Sequence, residues 1–152
     1  MTEYEKLLDE AVACGLIVKE KPLKANNGRI LGNRVAIKKD LTETEKKCTM
    51  AEELGHFYTT AGNILDQTAV VNRKQELQAR DWAVEKLLTL DDLIRAVKCG
   101  NQTPYEVTEY LGITEDFFME VLDYFKRKYG VSVCYDGYTI IFNDLGYMVD
   151  LE

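Results

Sequence analysis

Apolar residues recur at helical spacing from Tyr4 through Leu7, Leu8 and Ala11 to Val12, which predicts a helix over residues 3–13 that ends near Gly15. Leu16-Ile17-Val18 is a brief strand, and Asn26-Asn27-Gly28 marks a turn. Arg29-Ile30-Leu31 and Val35-Ala36-Ile37 flank Gly32-Asn33 as a tight hairpin, so a small sheet of three short strands follows the first helix. Thr42-Glu43-Thr44-Glu45 reads as a capping box. It opens a helix that runs to about Thr60, with Met50, Leu54, Phe57 and Ala61 as its apolar stripe. Residues 62–68 read as a loop. Asn72 then caps a helix through Leu88, whose apolar arc holds Leu77, Ala79, Trp82, Ala83, Val84, Leu87 and Leu88.

The pattern changes after residue 88. Leu93, Ile94 and Val97 predict a helix over residues 91–98, and Thr103-Pro104 opens another to Leu111. Thr114-Glu115 opens a third, carrying Phe117, Phe118, Val121, Leu122 and Phe125 and ending at Gly130. Residues 131–135 and 138–142 form a hairpin around Asp136-Gly137. Three helices followed by a hairpin is the order of a winged helix-turn-helix. The expected division is therefore an α+β unit at residues 1–88 and a helical, winged-helix-like unit with a C-terminal hairpin at residues 89–152.

The length of 152 residues suits one ordinary domain or two small packed units, and 46% apolar content supports a true core. No apolar run approaches membrane-spanning length. The acidic start Met1-Thr2-Glu3-Tyr4-Glu5 lacks the basic opening of a signal peptide. Four cysteines without Cys-x-x-Cys spacing fit reduced thiols, and the expected location is cytoplasmic.

One stretch of the second helix carries candidate chemistry. Glu53-Leu54-Gly55-His56 is the second half of the zinc-protease pattern His-Glu-x-x-His, with Glu52 in place of the first His. Glu52 and His56 lie one turn apart on one face, and Glu53 flanks them. Two such residues can bind a metal while the neighbouring carboxylate takes a proton from bound water. The competing reading is a solvated helix face opposite the apolar stripe. His56 is the only histidine. On the next helix Glu76 falls near the middle of the apolar arc, where a carboxylate is costly unless salt-bridged, for example to Arg80, or bound to metal. Asp81 competes from the edge of that arc. Cys48, one turn before Glu52, reads as a small core residue ahead of an extra ligand.

Charge restricts the partners. A formal net charge of −7 disfavours phosphate backbones and anionic lipid surfaces. From Pro104 to Gly130 six acids (Glu106, Glu109, Glu115, Asp116, Glu120, Asp123) stand against three bases (Lys126, Arg127, Lys128). Direct DNA binding by this unit is disfavoured on that balance, and protein docking is the preferred reading.

The run from Thr44 to His56, continued by Phe57-Tyr58-Thr59-Thr60 and Gly62-Asn63-Ile64-Leu65-Asp66, resembles the active-site helix of the ImmA/IrrE metallopeptidases. The likeness resumes from Asn72 to Ala83, and Lys21-Pro22-Leu23 and Gly32-Asn33-Arg34 resemble phage and mobile-element members. The resemblance implies a small zincin-like α+β fold. It also implies a metallo-endopeptidase that cleaves a helix-turn-helix repressor, acting as an anti-repressor. One divalent ion is implied, zinc first with manganese or iron as alternatives, on Glu52, His56 and Glu76, with Glu53 as the base. Members with the full motif use two His and one carboxylate. One His with two carboxylates is a harder donor set. Two other classes remain beside this one. The chain is a non-catalytic relative that binds the repressor stoichiometrically, or a DNA-binding regulator, which charge weakens.

Overall fold

In a computed structural model the chain is described over residues 1–60, 69–143 and 146–151. It forms two compact units, Met1–Lys86 and Leu87–Glu152.

The first unit opens with α1 (Glu3–Ala13), whose N-cap Thr2 accepts a hydrogen bond from the Glu5 amide. Then come β1 (Ile17–Lys21), β2 (Gly28–Leu31) and β3 (Arg34–Lys38). β3 is central: it pairs parallel with β1 and antiparallel with β2, so β1 and β2 are the edges. Val35 and Ile37 alternate inward from β3 as a strand of one buried face requires.

Helix α2 (Glu43–Thr60) begins as expected. The Thr42 hydroxyl accepts from the Glu45 amide, and the Glu45 carboxylate accepts from the Thr42 amide. Met50, Ala51 and Leu54 are fully buried on its inner face, and Cys48 lies in the core with them. A polar cluster ties three elements together: the Tyr4 hydroxyl of α1 donates to Glu20 of β1, which also pairs at 2.9 Å with Lys46 of α2.

Helix α3 (Ala69–Leu87) corrects the expected start. It begins three residues before Asn72, which therefore lies inside the helix. Asn has only a modest helix penalty, too small to impose a boundary. The buried face of α3 is also narrower than the expected arc: Ala79, Ala83 and Val84 are buried, while Leu77 is exposed. The loop expected at residues 62–68 lies outside the described residues.

The second unit holds α4 (Leu90–Lys98), α5 (Pro104–Leu111) and α6 (Glu115–Tyr129), capped by Thr89, Thr103 and Thr114 respectively. A three-stranded antiparallel meander follows: β4 (Ser132–Tyr135), β5 (Tyr138–Asn143) and β6 (Gly146–Leu151). The core combines Leu93, Phe117, Phe118, Val121 and Phe125 with Ile140 and Phe142. Strand β6 replaces the expected two-stranded ending. It covers the otherwise open edge of β5, and the Tyr147 hydroxyl donates to the Leu93 carbonyl at 2.8 Å. The described residues are thus mixed α+β, with six helices and two small three-stranded sheets.

Candidate active site

Glu53 projects from the inner side of α2 and is only 8% exposed. Burial raises its pKa from the ordinary 4.5 to about 7, and the negative charge of nearby Glu76 adds to the shift. Edge strand β2 passes directly over this carboxyl. A methyl group placed on Gly28 would stand 3.0 Å from Glu53 Oε1 and 2.5 Å from Cγ2 of Thr49. Gly28 is thus what lets the strand approach Glu53.

Gly55 performs the same service between helices. A Cβ there would collide with the backbone carbonyl of Ala79. The close crossing of α2 and α3 brings His56 Nε2 to 3.4 Å from Glu76 Oε2. Glu76 therefore points toward α2, as its place on the helical wheel implied, but its side chain is 56% exposed and is no core carboxylate. Its partner is His56 in place of the salt bridge to Arg80 considered from sequence.

Two donors about 2.0–2.1 Å from a tetrahedral zinc ion stand roughly 3.3–3.4 Å apart. The His56–Glu76 separation fits two such positions. Glu52 is half-buried one turn before His56 on the same helix. Among the described residues no three His, Cys, Asp or Glu side chains form a group able to hold an ion. The donor set thus fits a divalent ion at two ligands, His56 and Glu76. Cys48 is buried in the core and joins no such group.

Tyr58, two residues after His56, makes its contacts at the end of α1 and on α3. Its hydroxyl lies 2.9 Å from Cys14 Sγ, and its ring packs 4.9 Å from that of Trp82. That hydrogen bond, with burial, raises the phenol pKa to about 12.

The family model of a peptidase family, described as the IrrE N-terminal-like domain, matches residues 13–133. The chain belongs to this family. No curated protein and no solved structure matches it. The match includes β1 to β3, α2 and α3, the elements that carry Gly28, Glu53, His56 and Glu76. Among the described residues no helix is long and apolar enough to cross a membrane.

Gly28 and Gly55 were not legible as site residues. In the sequence Gly28 is part of a turn signal, and Gly55 is a spacer position between Glu53 and His56. A glycine inside a helix motif or at a strand start is the available hint of close backbone approach.

Proposed function

We propose that this protein is a metal-dependent endopeptidase of the zincin-like type whose substrate is a helix-turn-helix repressor. The observation that carries this reading is the placement of Glu53, buried between edge strand β2 and the His56–Glu76 pair. His56 and Glu76, with Glu52 as third ligand, would hold the ion, which when bound supplies Lewis acidity toward the scissile carbonyl and a water of lowered pKa.

The remaining chemistry belongs to the chain. Edge strand β2 offers backbone donors and acceptors to an extended substrate segment, which would add a strand beside Glu53. Glu53 takes a proton from the attacking water as its oxygen bonds to the carbonyl carbon. It passes that proton to the amide nitrogen as the C–N bond breaks. In the second unit Glu106, Glu109, Glu115 and Asp116 are all exposed, interspersed with exposed Tyr105, Tyr110 and Met119. An acidic surface with apolar anchors suits a basic, DNA-binding protein as partner.

A second reading is stoichiometric capture of the repressor without cleavage. The observation in its favour is that Glu52 stands where the motif has its first His, which leaves a single nitrogen among the expected ligands. The two separate in one experiment. Purified protein is loaded with zinc, manganese or iron and incubated with a helix-turn-helix repressor beside the Glu53→Gln variant. New repressor termini that require metal and Glu53 support the peptidase. A stable complex with intact repressor at every metal supports capture.

A further inference from the structure

The small sheet of the first unit has a second face, away from α2. Strand alternation sends Glu20 toward the helices, where it meets Tyr4 and Lys46, and sends Lys19 and Lys21 to the opposite side. Strand register builds rows across that side. Ile17 lies beside Arg34 and Arg34 beside Leu31; Lys19 lies beside Ala36 and Ala36 beside Arg29. In the next row Lys21 registers with Lys38, a like-charge neighbour that costs stability unless an anion lies over it.

These rows line a groove of about 450 Å³ in which Lys19, Lys21, Arg29 and Arg34 surround Ile17 and Leu31. Leu31 is 71% exposed. Among the described residues no acidic side chain pairs with any of these four cations. A concentrated positive surface, uncompensated among the described residues, is a local inversion of sign on a chain of net charge −7.

We propose that this face binds an acidic segment of another protein that carries aliphatic side chains among its carboxylates. Carboxylates would pair with Lys19, Arg29 and Arg34, and the aliphatic groups would cover Ile17 and Leu31. Charge complementarity selects the sign of the partner, and the apolar floor selects a polypeptide. Single-stranded nucleic acid binds through aromatic platforms that stack its bases, and every apolar side chain lining this groove is aliphatic. This proposal is independent of the peptidase reading, since it uses neither Glu53 nor the His56–Glu76 pair.

The test uses the full chain and fluorescence anisotropy. The probe is a fluorescein-labelled peptide of alternating Glu and Leu. Its comparators are the same peptide with Ser for Leu and a labelled oligo-thymidine. The Glu-Leu peptide is expected to bind, with affinity at least about tenfold weaker for the Ser version and for the Lys19→Glu/Arg34→Glu variant. Lys19→Arg/Arg34→Lys, which keeps charge, is expected to retain binding and guards against misfolding as the cause of loss. Absence of binding overturns the proposal, as does equal binding of the Ser peptide or tighter binding of the oligonucleotide. Self-association in light scattering that Lys19→Glu/Arg34→Glu abolishes would also overturn it, assigning the face to a second copy.

Discussion

Gly55 of α2 rests directly on the backbone carbonyl of Ala79 in α3, and the neighbouring His56 thereby meets Glu76 at 3.4 Å. The two facts are one piece of geometry. In an isolated helix Gly→Ala stabilises by about 1 kcal/mol. Here the added methyl must push two helices apart, an overpacking cost of about 1–3 kcal/mol. Gly55→Ala is therefore expected to destabilise the protein in urea denaturation and to weaken metal binding. A more stable Gly55→Ala protein would refute the close crossing.

Glu53 gives a pH dependence with a definite sign. Its pKa is about 7 in the fold and takes the ordinary value of 4.5 in the unfolded chain. Between those values the folded state binds the extra proton, so this group's contribution to stability falls as pH rises through the window and levels off above it. A shift of that size corresponds to about 3 kcal/mol at most. In the metal-free protein, Glu53→Gln should match wild type near pH 5 and melt higher near pH 8. Equal melting temperatures at pH 8 would contradict the burial of this carboxyl.

The same substitution should remove peptidase activity, by about 10²- to 10⁴-fold, because an amide cannot accept the proton. Metal affinity should survive it. His56→Ala should instead abolish metal binding, since it removes the only nitrogen of the expected ligands. Calorimetry with zinc and manganese on the two variants distinguishes base from ligand.

Gly28 and Thr49 should compensate each other. Gly28→Ala alone drives a methyl toward Thr49 Cγ2 and Glu53 and should reduce stability and activity together. Adding Thr49→Ser deletes that Cγ2 atom and should recover part of the loss. A double-mutant cycle measures the coupling, and simple additivity would count against contact between β2 and α2 at this point.

Association with the repressor should depend on the acidic surface of the second unit. Charge reversal of Glu106 and Glu109 to Lys is expected to slow association by about tenfold at low salt, with the difference shrinking as salt rises. Stopped-flow measurement at two salt concentrations is sufficient. An unchanged rate would move the docking surface elsewhere.

The elements with local signals were legible. The capping box at Thr42, the Pro104 start and the Asp136-Gly137 turn appear where side-chain chemistry put them, the last with φ of 50° and 81° at its two central residues. Misreadings came where tertiary context decides. Asn72 looked like a cap, yet α3 begins at Ala69. Strand β6 runs Tyr147-Met148-Val149-Asp150-Leu151 without a clean apolar–polar alternation and takes its place by pairing with β5. The meeting of His56 and Glu76 was half legible: the wheel gave the direction of Glu76, but its burial depends on where two helices cross.

The order of strands in the first sheet has a kinetic consequence. β2 and β3 are joined by Gly32-Asn33 and pair antiparallel, a local contact of the kind that forms in about 1–10 μs. β1 must join β3 in parallel across the whole intervening hairpin, a contact with a larger closure entropy. The hairpin that passes over Glu53 can thus assemble first, and β1 with α1 completes the sheet afterwards. Refolding followed by pulsed hydrogen exchange should protect the β2–β3 amides before those of β1.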